Sequence, residues 1–200
     1  MSHAIYQTPA MILQTSSMRE SNKLAVLYTR DFGLIYVAAQ SIREAKSKMK
    51  AHLHTCSLAS VDLVRGRDIW RLTGIHEDLS SLSFAGTKWF ALLDRYSSSL
   101  KRLCPGEEPN FDLWDDISEL YEYIREDLSQ PHKKIFSKED VAIIEIVLMA
   151  RSLNHLGYWS GDELPLTSKH IYSSEIIDYV STHKSLMFKK INEGLRRSQL

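Results

Sequence analysis

Hydrophobic positions alternate with polar ones over roughly the first seventy-five residues, and recur every three to four residues after that. The first regime predicts strands. "AMILQTSS" (10–17), "NKLAVLYTR" (22–30), "GLIYVAAQ" (33–40), "CSLASVDLVR" (56–65) and "RDIWRLTGI" (67–75) are short runs rich in β-branched and aromatic residues. Successive side chains point to opposite faces of a strand. Leu24, Val26 and Tyr28 therefore share one face, Val61 and Leu63 another, and Trp70 and Leu72 oppose Arg67 and Arg71. Turn residues separate the runs: "MRESN", "RDFG" closing at Gly33, and "VRGRD" turning at Gly66, where glycine bends freely to positive φ. Five such strands suit a small closed barrel of the OB type, or an SH3-like barrel. Residues 41–52 fall where an OB barrel often carries a short helix.

The second regime predicts helices. "FAGTKWFALLDRYSSSLKRL" (84–103) carries Trp89, Leu92, Leu93, Tyr96 and Leu100 on one stripe and ends at Pro105 and Gly106. "FDLWDDISELYEYIREDL" (111–128) repeats the pattern with Trp114, Ile117, Leu120, Tyr121, Ile124 and Leu128, and Pro131 follows. Ser137 with Asp140 forms a capping box for a third helix, which is apolar almost all round and so belongs at a bundle centre. Gly157 is its expected C-terminal stop. A last helix runs from about Ser174 to Arg197, with Ile176, Val180, Met187, Ile191 and Leu195 inward. The expected fold is α+β: an N-terminal five-stranded OB-type β-barrel over 1–78 and a C-terminal helical bundle over 79–200, joined near 76–82.

Composition adds one thing the pattern does not show. The chain holds 25 Lys/Arg and 25 Asp/Glu, yet through Ile75 there are ten basic residues against five acidic ones. The barrel is therefore basic and the helical part acidic by the same margin, which hints at nucleic-acid contact in the first part. "SIREAKSKMKAH" (41–52) is the densest stretch, with Arg43, Lys46, Lys48 and Lys50. Cys56 and Cys104 form no C-x-x-C pair and suggest a reducing compartment. No basic segment followed by an apolar run opens the chain, and "VAIIEIVLMA" (141–150) is too short to span a bilayer, so a cytoplasmic protein without membrane contact is expected.

Candidate chemistry is sparse. Phosphates attract Lys and Arg without regard to sequence, which makes Arg19, Lys23, Arg30, Arg43, Lys46, Lys48, Lys50, Arg65, Arg67 and Arg71 candidate nucleic-acid contacts. Lysine-rich loops also arise simply as solvated surface. Tyr28, Tyr36 or Trp70 could stack on bases, and an alternating strand could equally bury any of them. In "HLHTC" the residues His52, His54 and Cys56 would share a face if extended, but zinc wants four ligands or three plus water, and ordinary strand side chains are the better account. The acidic stretch 107–127 could hold Mg²⁺ through paired carboxylates such as Asp115 and Asp116, as in nucleases. A solvated outer helix face is the simpler reading. Nucleophile elbows, Walker loops, dinucleotide fingerprints and H-E-x-x-H motifs are lacking, so neither an enzyme nor a cofactor is expected.

The order of these features resembles the bacterial recombination mediator family RecO. The segment "ILQTSSMRESNKLAVLYTRDFGLIYVAAQSIREAKSKMKAHL" (12–53) has the family's Arg-Glu hairpin (Arg19, Glu20), a strand ending in Thr29-Arg30 and a turn closed by Gly33. It continues with the small-residue strand Val37 to Ala39 and a basic, Ser-containing loop with Arg43, Lys46, Ser47 and Lys48. "LVRGRDIWRL" and "MARSLNHLGYW" extend the likeness into the helical half. Two departures stand out. "GYWSGDELPLTS" (157–168) holds no cysteine where many relatives have a zinc site, so no metal is expected, and "AAQS" replaces an Ala-Lys-Gly type sequence ahead of the basic loop. The chain is also short for the family, which implies a trimmed helical domain. The resemblance implies a non-catalytic mediator of DNA repair at the nucleoid. Such a protein binds single- and double-stranded DNA, anneals complementary strands, and with RecR helps load RecA onto DNA coated by single-strand DNA-binding protein, whose C-terminal tail it engages through the helical part. The alternative is a protein-interaction scaffold that binds acidic protein tails without DNA.

Overall fold

The computed structural model describes residues 4–18, 22–39, 53–67, 69–78, 86–130, 135–161 and 163–198. Packing divides the chain into two units: Met1–Ala85 with Leu93–Asn110, and Gly86–Leu92 with Phe111–Leu200.

The first unit is built on a closed OB-type barrel of five strands, β1 (Ile5–Met18), β2 (Asn22–Thr29), β3 (Gly33–Ala39), β4 (Leu58–Val64) and β5 (Trp70–Asp78), in the order β1-β2-β3-β5-β4. All neighbours are antiparallel except β3 and β5. Strand β1 starts five residues earlier than its hydrophobic run, with Pro9 inside it. The Pro9 carbonyl accepts from Arg30 N–H at 3.0 Å, on the side where β2 has already ended. The missing proline N–H would face the same way, so the β1–β4 ladder loses nothing. A bulge between Ile12 and Gln14 bends β1 so that its first half pairs with β4 and its second half with β2. The interior is filled by Ala10, Ile12, Ala25, Leu27, Ile35, Val37, Ala39, Leu53, Val61, Leu63, Trp70 and Leu72.

The parallel seam between β3 and β5 is short, pairing only Val37, Ala38 and Ala39 with Trp70, Arg71 and Leu72. Below it the segment after α1 (Lys88–Leu103) takes over. Leu34 N–H donates to the Gly106 carbonyl at 2.9 Å. Gly33 has φ +65, and a Cβ there would lie 2.2 Å from the Glu108 carbonyl oxygen, so only glycine fits. Gly66 departs from its sequence-based expectation. It is not at positive φ, and what requires glycine there is the Ile69 carbonyl, 2.2 Å from where a Cβ would sit.

The second unit contains α2 (Phe111–Ser129), α3 (Lys138–His155), the short α4 (Leu164–Thr167) and α5 (Ser174–Arg197). The Ser137/Asp140 capping box is formed in both directions. Helix α3 ends with Gly157 N–H on the Asn154 carbonyl and Tyr158 N–H on that of Leu153, a Schellman closure around Gly157 at φ +78. Among the described residues no helix is long and apolar enough to cross a membrane.

Two acidic residues of α2 point inward, contrary to the solvated face expected of that stretch. Asp116 receives a two-point contact from Arg151 (Nε to Oδ2 2.8 Å, Nη2 to Oδ1 2.7 Å) and lies 2.9 Å from His155 Nε2. Arg151 also reaches the Ser168 carbonyl at 2.7 Å, which ties α3 to the loop after α4. Asp127 accepts from Trp89 Nε1 at 2.8 Å, Phe136 N–H at 3.1 Å and Lys88 Nζ at 2.8 Å. Burial would raise the Asp127 carboxyl, but these donors outweigh it and hold it below the usual carboxylate range. The helical periodicity could not show this, because a carboxylate at the flank of an apolar stripe is buried only when a partner from another element meets it.

Replacing Gly33 by alanine is expected to destabilise the protein by about 2 kcal/mol or more in urea denaturation. Gly86→Ala is the control, since Gly86 also has positive φ but nothing lies within 4 Å of an added Cβ. It should cost only the conformational part, and equal losses for the two variants would show that the Glu108 approach does not matter.

Candidate nucleic-acid interface

Outward side chains on β3 alternate with the core residues Ile35, Val37 and Ala39, which leaves Tyr36 and Ala38 facing away from the interior. On β5 the exposed Arg71 stands between the core residues Trp70 and Leu72 and lies in register with Ala38. Lys23, the second residue of β2, is paired with the inward Ala39 at the end of the barrel, so it shares parity with the core residues Ala25 and Leu27. Two strand spacings, about 10 Å, separate the Lys23 and Arg71 backbones. Arg67 is exposed in the β4–β5 turn that leads into Arg71. Neither β2 nor β3 contains an acidic residue. The opposite part of the barrel surface is different in kind. There Asp62 on β4 pairs with His76 on β5 at 2.5 Å. The exposed cation on the outward side of β2, β3 and β5 is thus Arg71, beside Tyr36 and Ala38 of β3, with Arg67 in the turn before it; the outward β2 residues Val26 and Tyr28 are buried.

Five of the ten sequence-nominated cations, Arg19, Arg43, Lys46, Lys48 and Lys50, lie outside the described residues, as do the whole of 41–52 and His52. The other five differ in setting. Arg71 lies on the outward side of β5, Arg67 is exposed in the turn before it, and the half-buried Lys23 is paired with the core residue Ala39 at the start of β2. Arg30 sits in the β2–β3 turn and pairs with Asp31 at 3.6 Å. Arg65 is engaged twice: its Nη2 is 3.1 Å from Glu107 Oε2, and its guanidinium carbon lies 5.2 Å from the centre of the Trp70 ring. The other Glu107 oxygen accepts from Trp70 Nε1 at 3.1 Å. One carboxylate therefore holds both the buried indole and the arginine that covers it. Nothing in the sequence pairs residue 107 with residue 65 or 70. That link exists only because the segment after α1 returns to the open end of the seam.

The three aromatic candidates separate cleanly. Tyr28 is 1% exposed, its hydroxyl donates to the Asn110 carbonyl at 3.4 Å, and burial pushes its phenol well above the usual range. Trp70 is 3% exposed and packs in the interior beside Phe32, with ring centres 4.9 Å apart. Tyr36 is 50% exposed. The proposed grouping of His54 and Cys56 on one strand face is overturned, because β4 begins only at Leu58 and Thr55–Cys56 form a turn with Cys56 at φ +66. Cys56 is buried 3.8 Å from Ser97 Oγ, whereas His54 is exposed. Among the described residues no group of three or more His, Cys, Asp or Glu could hold a metal.

Residues 1–76 match the family model described as Recombination protein O N terminal. The chain is similar to the DNA repair protein RecO of Dehalococcoides mccartyi strain CBDB1, at 30% identity over 95 residues, 48% of this chain and 38% of the relative. It is also similar to the protein of that name from Caldanaerobacter subterraneus subsp. tengcongensis, at 26% over 113 residues, 54% of this chain and 44% of the relative. A third, from Desulforudis audaxviator, is 31% identical over 90 residues, 40% of this chain and 36% of the relative. The matched stretch thus covers less than half the length of each of these relatives.

Glu107→Gln should change stability by less than about 1 kcal/mol, since the Arg65 pair is solvent-exposed and the amide oxygen can still accept from Trp70. Glu107→Ala strands the buried indole N–H and should cost about 1–3 kcal/mol more. Urea denaturation of the two variants checks this, and equal midpoints would remove Glu107 from the account of the seam.

Proposed function

From the premise that the chain belongs, through its N-terminal barrel, to the RecO family of DNA repair proteins, we propose that it is a non-catalytic, DNA-binding recombination mediator. The barrel, within residues 1–78, binds single- and double-stranded DNA on the outward side of β3 and β5, and the helical part, within 79–200, serves protein contacts. The observation that carries this reading is the outward side of β3, free of acidic residues, with the exposed Arg71 beside it on β5, Arg67 in the turn before that strand and Lys23 at the start of β2. The basic loop with Arg43, Lys46, Lys48 and Lys50 follows β3 directly in sequence, with Arg19 in the β1–β2 connection, and adds charge to the same reading. Annealing two strands requires that their mutual repulsion be neutralised, which Lys and Arg supply without chemistry. The engagement of Asp116 by Arg151 and His155 supports a structural rather than a metal-binding role for that carboxylate. The partners proposed are DNA, RecR and the C-terminal tail of single-strand DNA-binding protein, with RecA loaded indirectly, in the cytoplasm at the nucleoid.

A specific observation favours a second reading, in which the chain acts as a protein-interaction scaffold. The helical unit has a groove of about 380 Å³ between α3 and α5, with Ala142, Ile143, Ile146 and Val180 as its apolar lining and Lys138 and Lys184 beside Glu139 and Ser181. Two lysines beside an apolar floor suit an acidic peptide that ends in hydrophobic residues.

Fluorescence anisotropy with labelled single-stranded DNA at two salt concentrations tests the first reading. Replacing Lys23, Arg67 and Arg71 by alanine should weaken binding and lower the salt slope by up to about three, and so should replacing Lys46, Lys48 and Lys50. No detectable binding at low salt would overturn it. For the second reading, a Lys138→Ala/Lys184→Ala double variant should bind a peptide of acidic residues ending in hydrophobic ones several-fold more weakly at low salt. Undiminished binding would move the peptide away from this groove.

A further inference from the structure

A cation-bordered face explains affinity for any polyphosphate, but phosphates are presented by single strands and duplexes alike. Something other than charge must tell them apart. Exposed single hydrophobic residues are common on protein surfaces and need no explanation by themselves. Tyr36 differs in its setting. It is half-exposed on the outward side of β3. Arg71, paired with Ala38 on the next strand, is its diagonal neighbour at about 8 Å between backbones. The residue two further along β3 is the small Ala38, and the strand then leads into the lysine-rich segment 41–50. The other two aromatic candidates are withdrawn into the fold, Tyr28 by its hydroxyl bond to Asn110 and Trp70 by the interior and Glu107.

We propose that Tyr36 is a base-stacking platform through which the barrel distinguishes single-stranded from double-stranded DNA. The inference rests on the DNA-binding reading of the same face. A base in a single strand offers a free π-face to the phenol ring, while Arg71 takes a flanking phosphate. In a duplex each base face is already covered by its neighbours, so Tyr36 gains nothing there and only the phosphate contacts remain. The arrangement also gives annealing a direction. Two strands held partly by stacking become a duplex that has lost that contact, and the product is bound more weakly than its precursors.

Anisotropy titrations with oligo-dT, with an abasic oligonucleotide of the same length and with a duplex test this at one fixed salt concentration. Tyr36→Ala is expected to weaken oligo-dT binding about ten-fold and to change duplex binding by less than about two-fold, with the salt slope unaltered. Tyr36→Phe keeps the π-face and should match the unaltered protein. The unaltered protein should prefer oligo-dT to the abasic strand, and Tyr36→Ala should lose that preference. Retained duplex binding reports that the variant is folded. Equal loss on single strand and duplex, or no loss on either, overturns the stacking role while leaving DNA binding intact. If the unaltered protein binds none of the probes at low salt, the DNA-binding reading falls and the stacking role falls with it.

Discussion

Closure of the barrel between β3 and β5 is the constraint on which the first unit depends. Three residue pairs form that parallel seam, fewer than in any other ladder of the barrel. A seam this short leaves backbone groups of β3 without a strand partner, and an unpaired buried N–H is costly. The segment after α1 resolves this. Gly106 supplies an acceptor for Leu34, the Glu108 backbone fills the space that Gly33 leaves open, and Glu107 holds the Trp70 indole. With the seam closed, Tyr36 and Arg71 come from adjacent strands onto one outward face. Without it, β2 and β5 would have no common neighbour.

The same carboxylate shows how a basic surface coexists with a neutral chain. Glu107 and Asp31 sit on cations at the β2–β3 and β4–β5 turns, and Asp62 sits on His76. Strands β2 and β3 carry no acidic residue of their own. In the helical unit the acidic excess is partly internal. Asp116 and Asp127 spend their charge on Arg151, Lys88 and backbone donors, which fixes α3 and the Phe136 turn in place. Carboxylates in such settings are structural ties, and their removal leaves a buried cation without a partner.

Most of the element pattern was legible in the sequence. Period-2 runs located four of the five strands to within about three residues at either end, the capping box and the Gly157 stop form, and the helical stripes turn inward except at Leu128 and Leu195, which are half-buried where Asp127 and Gly194 take the inner positions. The exceptions have physical causes. Strand β1 is longer than its hydrophobic run because Pro9 lies where no ladder bond is needed. Strand β4 starts later because Cys56 is held in a left-handed turn by a hydrogen bond from its own N–H to Ile12 at 2.8 Å and by burial beside Ser97.

By itself the sequence determined the periods, the turns, the order barrel-then-helices and the concentration of cations in the first part, because each of these is set by residues close in the chain. Only the tertiary structure decided which of those residues meet. Tyr28 and Tyr36 both lie on outward positions of neighbouring strands, and alternation makes them equivalent. One is sealed by Asn110 and the other is half-exposed, because what covers an outward face comes from another part of the chain. Arg65 and Arg71 are likewise both arginines of one hairpin. Only the return of Glu107 to the seam makes the first a cover for Trp70 and leaves the second on the cationic face.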